Sequence, residues 1–214
     1  MKFERALLLA GIAVMIAACA PDSALRQNML ALRQAHERQL DFPLVCESLD
    51  PAARTLLTVQ QDYGPKRQLA LLSELAGVQT WQSGKALLMV THRGRVLRTI
   101  GFAEDQRDAA VINGSDPLGQ PMDNATTYRF VMRLDLAPEQ YGLTAEHELR
   151  YVGEEEISGP RRLAHWQEQV RLRELRLSYR QDFWLDPATG IVFRSIQQIG
   201  ESTRLTLQVI KANN

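Results

Sequence analysis

Apolar and polar residues alternate strictly along two segments in the second half of the chain. From Thr126 to Leu136, and again from Leu143 to Tyr151, every second residue belongs to one mostly apolar phase. This period of two is typical of β-strands with one buried face and one wetter face. The five residues from Pro138 to Gly142 form a short connection, so we expect the two strands to be adjacent and antiparallel.

Further strands are marked by the turn residues between apolar runs. Gly94 lies in a short turn and favours one hairpin, while Pro187 and Gly190 favour another. The predicted strands around these turns, and the last strand of the chain, are Ala86–Thr91, Arg95–Phe102, Phe183–Leu185, Ile191–Ile199 and Arg204–Ile210.

The alternation slips by one residue between Val170 and Gln181, near Arg173. A β-bulge in one continuous strand explains the slip, because a bulge adds one unpaired residue. A short helix is the alternative, since Leu172 and Leu175 are three residues apart, but the flanking β pattern favours the bulged strand.

Taken together, these segments predict a mainly β fold, with an antiparallel curved sheet arranged as a sandwich or a partly open barrel. A short N-terminal helix is expected from Ser23 to Leu40, where apolar residues recur about one helical turn apart. Asp41-Phe42-Pro43 ends this helix, because proline disfavours helical geometry in the residue before it.

The N-terminus has the pattern of a bacterial lipoprotein signal. Lys2 and Arg5 precede an apolar run that is too short to span a membrane and that ends in Ile16-Ala17-Ala18-Cys19. We therefore expect residues 1–18 to be a signal peptide, 19–43 a lipidated N-terminus with a tether helix, and 44–214 a single antiparallel β domain. The alternative is an ordinary signal peptide that is cut nearby, with Cys19 incidental.

Charge and cysteine content narrow the class of protein. The chain has 25 basic and 25 acidic residues, which gives neither a nucleic-acid footprint nor a polybasic lipid-binding patch. We therefore expect no nucleic-acid partner, and membrane attachment through the N-terminal acyl chains. Cys46, the other cysteine, is expected to be a small buried apolar residue or, alternatively, half of an intermolecular disulfide.

Catalytic and metal-binding motifs are not found in the sequence. The four histidines lack zinc-site spacing, Ser195 lacks a nucleophile elbow, and there is no phosphate or dinucleotide loop. We therefore expect no catalytic residue, no metal and no cofactor. His147, on the apolar phase of its strand, is predicted to be a packed imidazole bonded to backbone rather than a ligand.

Four arginines form the densest basic set in the chain: Arg171, Arg173, Arg176 and Arg180. Their guanidinium groups suit bidentate contacts with the carboxylates of an anionic glycan. The alternative is a solvated strand face opposed by acidic residues such as Glu146, Glu148 or Glu154–Glu156. There are also two interpretations of the three tryptophans: they stack on sugar rings, or they seal the edge of the core. These residues are Trp81, Trp166 and Trp184.

Two segments resemble the YjbF/GfcB family of bacterial lipoproteins. They are TWQSGKALLMVTHRGRVLRTIGF from Thr80 to Phe102, and YRQDFWLDPATGIVFRSIQ from Tyr179 to Gln197 with the later LTLQVIK. The resemblance implies a mainly antiparallel β structure and a link to exopolysaccharide or group 4 capsule genes, with no family catalytic residue to transfer. Ala20 after the cysteine resembles lipoproteins that are sorted to the outer membrane.

We therefore expect a non-enzymatic lipoprotein on the periplasmic face of the outer membrane that assists secretion or assembly of an exopolysaccharide or capsule. Its expected partners are the membrane, the exopolysaccharide and the export machinery. The alternative is a LolB-like carrier of lipid or lipoprotein with an open β-barrel. A carrier needs a continuous apolar cavity, whereas a scaffold fills its core.

The lipidation signal leads to the first prediction. Cys19→Ser removes the only thiol that can accept diacylglycerol at this site, so the precursor stays unprocessed or is mislocalised. Metabolic labelling with palmitate is the measurement, and the native chain should be labelled while the serine variant is not. Label retained by the variant would contradict the prediction.

Overall fold

The computed structural model describes residues 55–157 and 162–211. Within them the chain forms twelve strands: β1 Thr55–Gln61, β2 Lys66–Leu75, β3 Val78–Ser83, β4 Leu87–His92, β5 Arg95–Ile100, β6 Gln106–Asn113, β7 Tyr128–Leu136, β8 Gln140–Glu156, β9 Arg162–Leu172, β10 Leu177–Leu185, β11 Val192–Ile199 and β12 Thr203–Lys211. Cys19, the expected helix Ser23–Leu40 and Cys46 lie outside the described residues. Among those residues, no helix has the length and apolar composition needed to cross a membrane.

The twelve strands form one antiparallel sheet that curves back on itself. Its order is β5-β4-β3-β2-β1-β12-β11-β10-β9-β8-β7-β6, so consecutive strands pair with each other, except β5 with β6, and β1 pairs with β12. Within the described strands, the ladder is interrupted only between β5 and β6, which lie next to each other in the chain. The sheet is therefore a nearly closed barrel, which confirms the predicted mainly β, antiparallel and partly open architecture.

Side chains join β5 to β6 where the ladder is missing. The backbone N–H of Gln106 donates to Thr99 Oγ1 at 2.9 Å, and its side-chain amide donates to the carbonyl of Val96 at 2.9 Å. Further out, Arg98 Nε donates to the carbonyl of Arg107 at 2.8 Å. These bonds satisfy backbone groups that an edge strand would otherwise leave unpaired.

The core is made by the inward phase of each strand. Along β7 the buried residues are Phe130, Met132, Leu134 and Leu136, as the alternation predicts. Inward side chains form three apolar clusters, centred on Leu69, Trp81 and Met89, on Phe130, Met132 and Val170, and on Leu149, Trp166 and Phe183. The residues of the apolar phase therefore form the core of the barrel.

The three predicted hairpins are present, although β8 begins at Gln140, inside the connection expected from Pro138 to Gly142. β7 and β8 are joined at Ala137–Glu139, β4 and β5 at Arg93-Gly94, and β10 and β11 across residues 186–191. In the last of these turns the N–H of Gly190 donates to the carbonyl of Asp186 at 2.8 Å. The turn chemistry in the sequence therefore located these hairpins correctly.

The predicted bulged strand between Val170 and Gln181 is wrong, and so is the alternative short helix. β9 ends at Leu172, β10 begins at Leu177, and these two residues pair directly across a hairpin. Arg176 has a φ of 51° and its N–H donates to the carbonyl of Arg173 at 3.2 Å. A four-residue turn shifts the phase of alternation just as a bulge does, and this one contains neither glycine nor proline to mark it.

The two ends of the barrel are closed by different segments. The end where β1 begins, which we call the proximal end, is covered by residues 114–127, in which Leu118 is fully buried against Leu149 and Trp166. At the opposite end the carboxylate of Glu104 accepts hydrogen bonds from the backbone N–H groups of Ser202 and Thr203, each at 2.9 Å.

The contact between residues 114–127 and the β10–β11 turn leads to a second prediction. Gly190 has a φ of 72°, and a Cβ on it would lie 2.1 Å from the carbonyl oxygen of Gln120. Gly190→Ala should lower the free energy of unfolding by about 1–2 kcal/mol for the left-handed backbone, and by about 1–3 kcal/mol more for the clash.

Gly142→Ala is the matched control, because Gly142 also has a positive φ, but a Cβ added there would have no other atom within 4 Å. Urea unfolding of both variants separates backbone strain from the clash. Equal losses in the two variants would show that residues 114–127 do not pack tightly on this turn.

Candidate functional site

A buried charge centre occupies the interior of the barrel. Arg95, at the start of β5, is 3% exposed, and its Nε donates to Asp116 Oδ2 at 2.5 Å. Its two terminal nitrogens donate to the two carboxylate oxygens of Glu168 on β9, each at 2.8 Å. Because a terminal nitrogen also donates to Asp116 Oδ1 at 3.2 Å, the guanidinium holds two carboxylates, each in bidentate fashion.

Aromatic rings and opposite charges keep this centre ionised. The Arg95 guanidinium lies 5.1 Å from the ring centres of Phe130 and Phe183. Burial alone lowers the pKa of Arg95, but the charges of Asp116 and Glu168 outweigh it and the net shift is upward. Burial likewise raises the pKa of Glu168, but Arg95 and His147 together lower it to about 2.

His147 is packed in the core as predicted, but its predicted bond to backbone is wrong. The imidazole stacks on Phe130 with ring centres 4.7 Å apart, and Nδ1 lies 3.2 Å from Glu168 Oε2. His147 points into the barrel from β8 and pairs with Val170 of β9. This places its ring beside Glu168, which lies on the same inward face of β9. Among the described residues no group of three or more His, Cys, Asp or Glu is placed to hold a metal ion.

The interior next to Arg95 is nearly full. The void bounded by Arg95, Gln106, His147, Tyr179 and Gln197 has a volume of about 20 Å³. An acyl chain does not fit in such a space, which is close to the smallest that holds one water. The space beside Arg95 therefore does not provide the continuous apolar cavity that the carrier alternative needs.

A second polar cluster lies on the outward face of β9 and β10. His165 Nδ1 is 2.8 Å from Glu155 Oε1, and Nε2 is 3.0 Å from Asp182 Oδ1. Burial lowers the pKa of His165, but the bond to Asp182 and the charge of Glu155 outweigh it and raise the pKa overall. Its ring stacks on Trp184, whose other neighbour is the Arg194 guanidinium, 5.0 Å from the indole centre.

The three tryptophans are not available as sugar platforms, because all of them are buried: Trp81, Trp166 and Trp184. Trp81 and Trp166 belong to the interior clusters rather than to the edge of the core. Two of the indole N–H groups are used internally, since Trp81 donates to Thr91 Oγ1 and Trp184 donates to Glu155 Oε2, each at 2.9 Å.

A groove on the outer wall crosses β7, β8 and β9, and its volume is about 400 Å³. The antiparallel register places outward side chains in two rows across these strands. One row is Arg129, Glu148 and Gln169, and the next is Val131, Glu146 and Arg171. Asn113 and Gly114 border the groove beyond β7. The groove therefore combines guanidinium, carboxylate and amide groups.

Ion pairs neutralise both carboxylates of the groove. Glu148 accepts from Arg129 at 2.8 Å and from Arg150, and these hydrogen bonds lower the pKa of Glu148. Glu146 pairs with Arg173. Among the described residues, no carboxylate lies within ion-pair distance of Arg171. Of the two arginines that line the groove, Arg171 is therefore the one whose charge is available to a ligand.

The structure gathers the four predicted arginines around one hairpin. Arg171 on β9 and Arg180 on β10 lie on the outward face, with Arg173 and Arg176 in the turn that joins these strands. All four are exposed, but Arg171 alone lines the groove, and Arg180 lies 3.5 Å from Asp182. Arg129 was missed, although its outward phase on β7 was a visible signal in the sequence.

Arg95, Asp116 and Glu168 were also missed. The alternating pattern did indicate that Glu168 is buried, because it stands between Trp166 and Val170 on the inward phase of β9. An acidic residue on an apolar phase indicates a buried partner. Nothing in the local pattern identified Arg95 as that partner.

The fold and site define a class: a single antiparallel barrel-like domain with a buried charge centre and a polar groove on its outer wall. A family model described as group 4 capsule polysaccharide lipoprotein gfcB, YjbF matches residues 30–210. The chain therefore belongs to this lipoprotein family, which is linked to the group 4 capsule, and the resemblance seen in the sequence is confirmed.

A curated sequence and a solved structure, both from Escherichia coli (K12), are similar to this chain. The uncharacterized lipoprotein GfcB is 27% identical over 125 residues, which cover 56% of this chain and 58% of GfcB. The crystal structure of the hypothetical lipoprotein YmcC has a TM-score of 0.68 at 20% identity, and the match covers 78% of this chain and 91% of that one. The second similarity concerns the fold alone.

The charge centre leads to a third prediction. Because the folded-state pKa of Glu168 is lowered to about 2 from 4.5, its pairing contributes stability that is fully present above about pH 4.5 and is lost as the pH falls towards 2. Glu168→Gln should lower the free energy of unfolding at pH 7 by about 3–5 kcal/mol. It should also flatten the stability curve between about pH 5 and pH 2.

Glu148→Gln is the matched control, since Glu148 pairs with arginines on the exposed face of the neighbouring strand. It should cost about 1 kcal/mol or less. Urea unfolding across this pH range measures both variants. A loss for Glu168→Gln no larger than that for Glu148→Gln would contradict the role assigned to the buried pair.

Proposed function

We propose that this protein is a non-catalytic lipoprotein on the periplasmic face of the outer membrane that assists secretion or assembly of an exopolysaccharide or capsule. The carrying observation is its membership of the group 4 capsule lipoprotein family. The proposed attachment is through acyl chains, including palmitate, on Cys19 after removal of residues 1–18. Ala20, in place of an aspartate, supports sorting to the outer membrane.

The proposed ligand surface is the groove across β7, β8 and β9, extended by the arginines of the β9–β10 hairpin. A groove of about 400 Å³ is within the range of small-ligand sites. Arg171 supplies a guanidinium that can bind a carboxylate of an acidic sugar in bidentate fashion. Asn113 borders the same groove and offers an amide for sugar hydroxyls.

The surroundings of the acidic and basic groups support a non-catalytic role. Glu168 is fully buried and both its oxygens bind Arg95. His165 is held between Glu155 and Asp182 and stacked on Trp184. A general acid or base must reach a substrate proton, and in this arrangement both groups are occupied by protein partners.

Complementation of a deletion strain tests the proposal. Deleting the gene should lower surface or secreted polysaccharide without changing delivery of other lipoproteins, and the native gene should restore it. A variant with Arg171, Arg173, Arg176 and Arg180 all changed to glutamine should fold, since exposed pairs contribute only about 0–1 kcal/mol each. It should nevertheless restore less polysaccharide and retain less acidic glycan in a pull-down.

The matched control changes four other exposed arginines to glutamine: Arg107, Arg133, Arg162 and Arg204. It alters the net charge equally but leaves the groove intact, so it should complement fully. Equal complementation by both variants would contradict the glycan surface. Normal polysaccharide in the deletion strain, with undelivered lipoproteins in the periplasm, would contradict the proposed function itself.

A further inference from the structure

Exposed aliphatic side chains are concentrated at the proximal end of the barrel. Among the described residues, those in the strand halves and turns nearest this end are Leu72, Leu75, Val78, Val111, Ile112, Val152, Ile191 and Ile210, whereas the opposite end has Ile100. The opposite end also exposes two tyrosines, Tyr63 and Tyr141. Exposed aliphatic residues concentrated at one end of a domain mark a contact surface.

Five of these residues lie on one run of neighbouring strands at this end. Val78 lies on β3, Leu72 and Leu75 on β2, Ile210 on β12, and Ile191 just before β11. These strands are consecutive neighbours in the sheet, in the order β3-β2-β1-β12-β11. The two leucines are the most exposed, with 81% of Leu75 and 57% of Leu72 accessible. We call this set the apolar arc.

A cavity of about 350 Å³ opens at the same end of the barrel. Its lining includes Leu57 and Leu207 together with the charged residues Glu74, Arg93 and Arg194. Because Leu57 and Leu207 are buried core residues, the cavity lies inside the mouth of the barrel and adds no exposed apolar surface to the arc.

We infer that the apolar arc rests on the surface of the lipid bilayer that holds the proposed acyl anchor. Thr55, the first described residue, begins β1 between β2 and β12 of the arc, so the preceding chain joins the sheet at this end. The roughly 35 residues between Cys19 and Thr55 reach at most about 120 Å when extended. Tethering keeps the arc at a high local concentration beside the membrane, so a contact that is weak by itself becomes populated.

This inference rests on the proposed acylation for the orientation of the domain, but its tests separate the two. In the first test the acylated protein is reconstituted in vesicles of phosphatidylethanolamine with a minor fraction of phosphatidylglycerol, doped with brominated lipid. Leu75→Trp places an exposed indole on the arc, while the three native tryptophans are buried. Its fluorescence should be quenched by the brominated lipid.

Tyr63→Trp is the matched control, because Tyr63 is fully exposed at the opposite end. Its fluorescence should not be quenched. Equal quenching of the two variants, or none in either although the protein is bound to the vesicles, would overturn the inference. A protein that does not bind to the vesicles at all would instead show that the anchor has failed, which concerns the proposed function.

In the second test the mature chain carries Cys19→Ala, so that only the arc can hold it to vesicles of the same composition. Leu72→Ser combined with Leu75→Ser should lower the vesicle partition coefficient about tenfold or more. The control pair Tyr63→Ser and Ile100→Ser should leave it unchanged. Unfolding curves of both pairs check that the domain is intact.

The second test also distinguishes other occupants of the arc. No sedimentation with vesicles at high lipid concentration overturns the inference. Concentration-dependent dimers that disappear in the Leu72→Ser, Leu75→Ser variant, without vesicle binding, would assign the arc to a second copy of the chain instead. Equal partitioning of the two serine pairs would also overturn it, because binding would then not depend on the arc.

Discussion

The positive charge of Arg95 inside the barrel is the constraint that the rest of the fold must satisfy. An unpaired buried charge costs several kcal/mol, whereas a fully hydrogen-bonded pair is tolerated. The two carboxylates come from Asp116, in the segment that covers the proximal end, and from Glu168 on β9. Neither lies near Arg95 in sequence, so the ion pairs form only when the sheet curves and residues 114–127 fold over its end. The charge centre therefore couples closure of the barrel to closure of its end.

The strand that carries this charge is also the edge of the sheet. β5 has no ladder to β6, and two side-chain amides satisfy its backbone instead. Gln197 on β11 donates to the carbonyl of Gly94 at 2.8 Å and accepts from the N–H of Val96 at 3.0 Å, while Gln106 donates to the Val96 carbonyl. An exposed edge strand tends to pair with other chains, and buried backbone groups need partners. The same set of polar side chains thus holds Arg95 in place and protects the edge.

Turn residues in the sequence were sufficient to predict most hairpins. They were not sufficient to predict the contacts that form only when the sheet closes into a barrel. Turns with glycine or proline, such as the one ending at Gly190, were predicted correctly. The turn between Leu172 and Leu177 has neither residue, so its phase shift was interpreted as a bulge.

The inward phase of Glu168 was visible in the alternation. Its pairing with Arg95 was not, because periodicity gives the face of a strand and not the strand that lies across the barrel. Arg129 joined Arg171 in the groove only through the register of β7, β8 and β9.

The two proposed contact surfaces, the apolar arc and the groove of β7, β8 and β9, lie on different parts of the barrel. In the order of the sheet, β2, with Leu72 and Leu75, and β8, with Glu146 and Glu148, are separated by five strands in either direction. A domain that rests on the membrane through the arc of its proximal end therefore keeps the groove of β7, β8 and β9 on the far wall, directed away from the lipid contact. Because the two surfaces share no strand, occupation of one leaves the other accessible. Membrane contact and glycan contact are in this way geometrically compatible within one small domain.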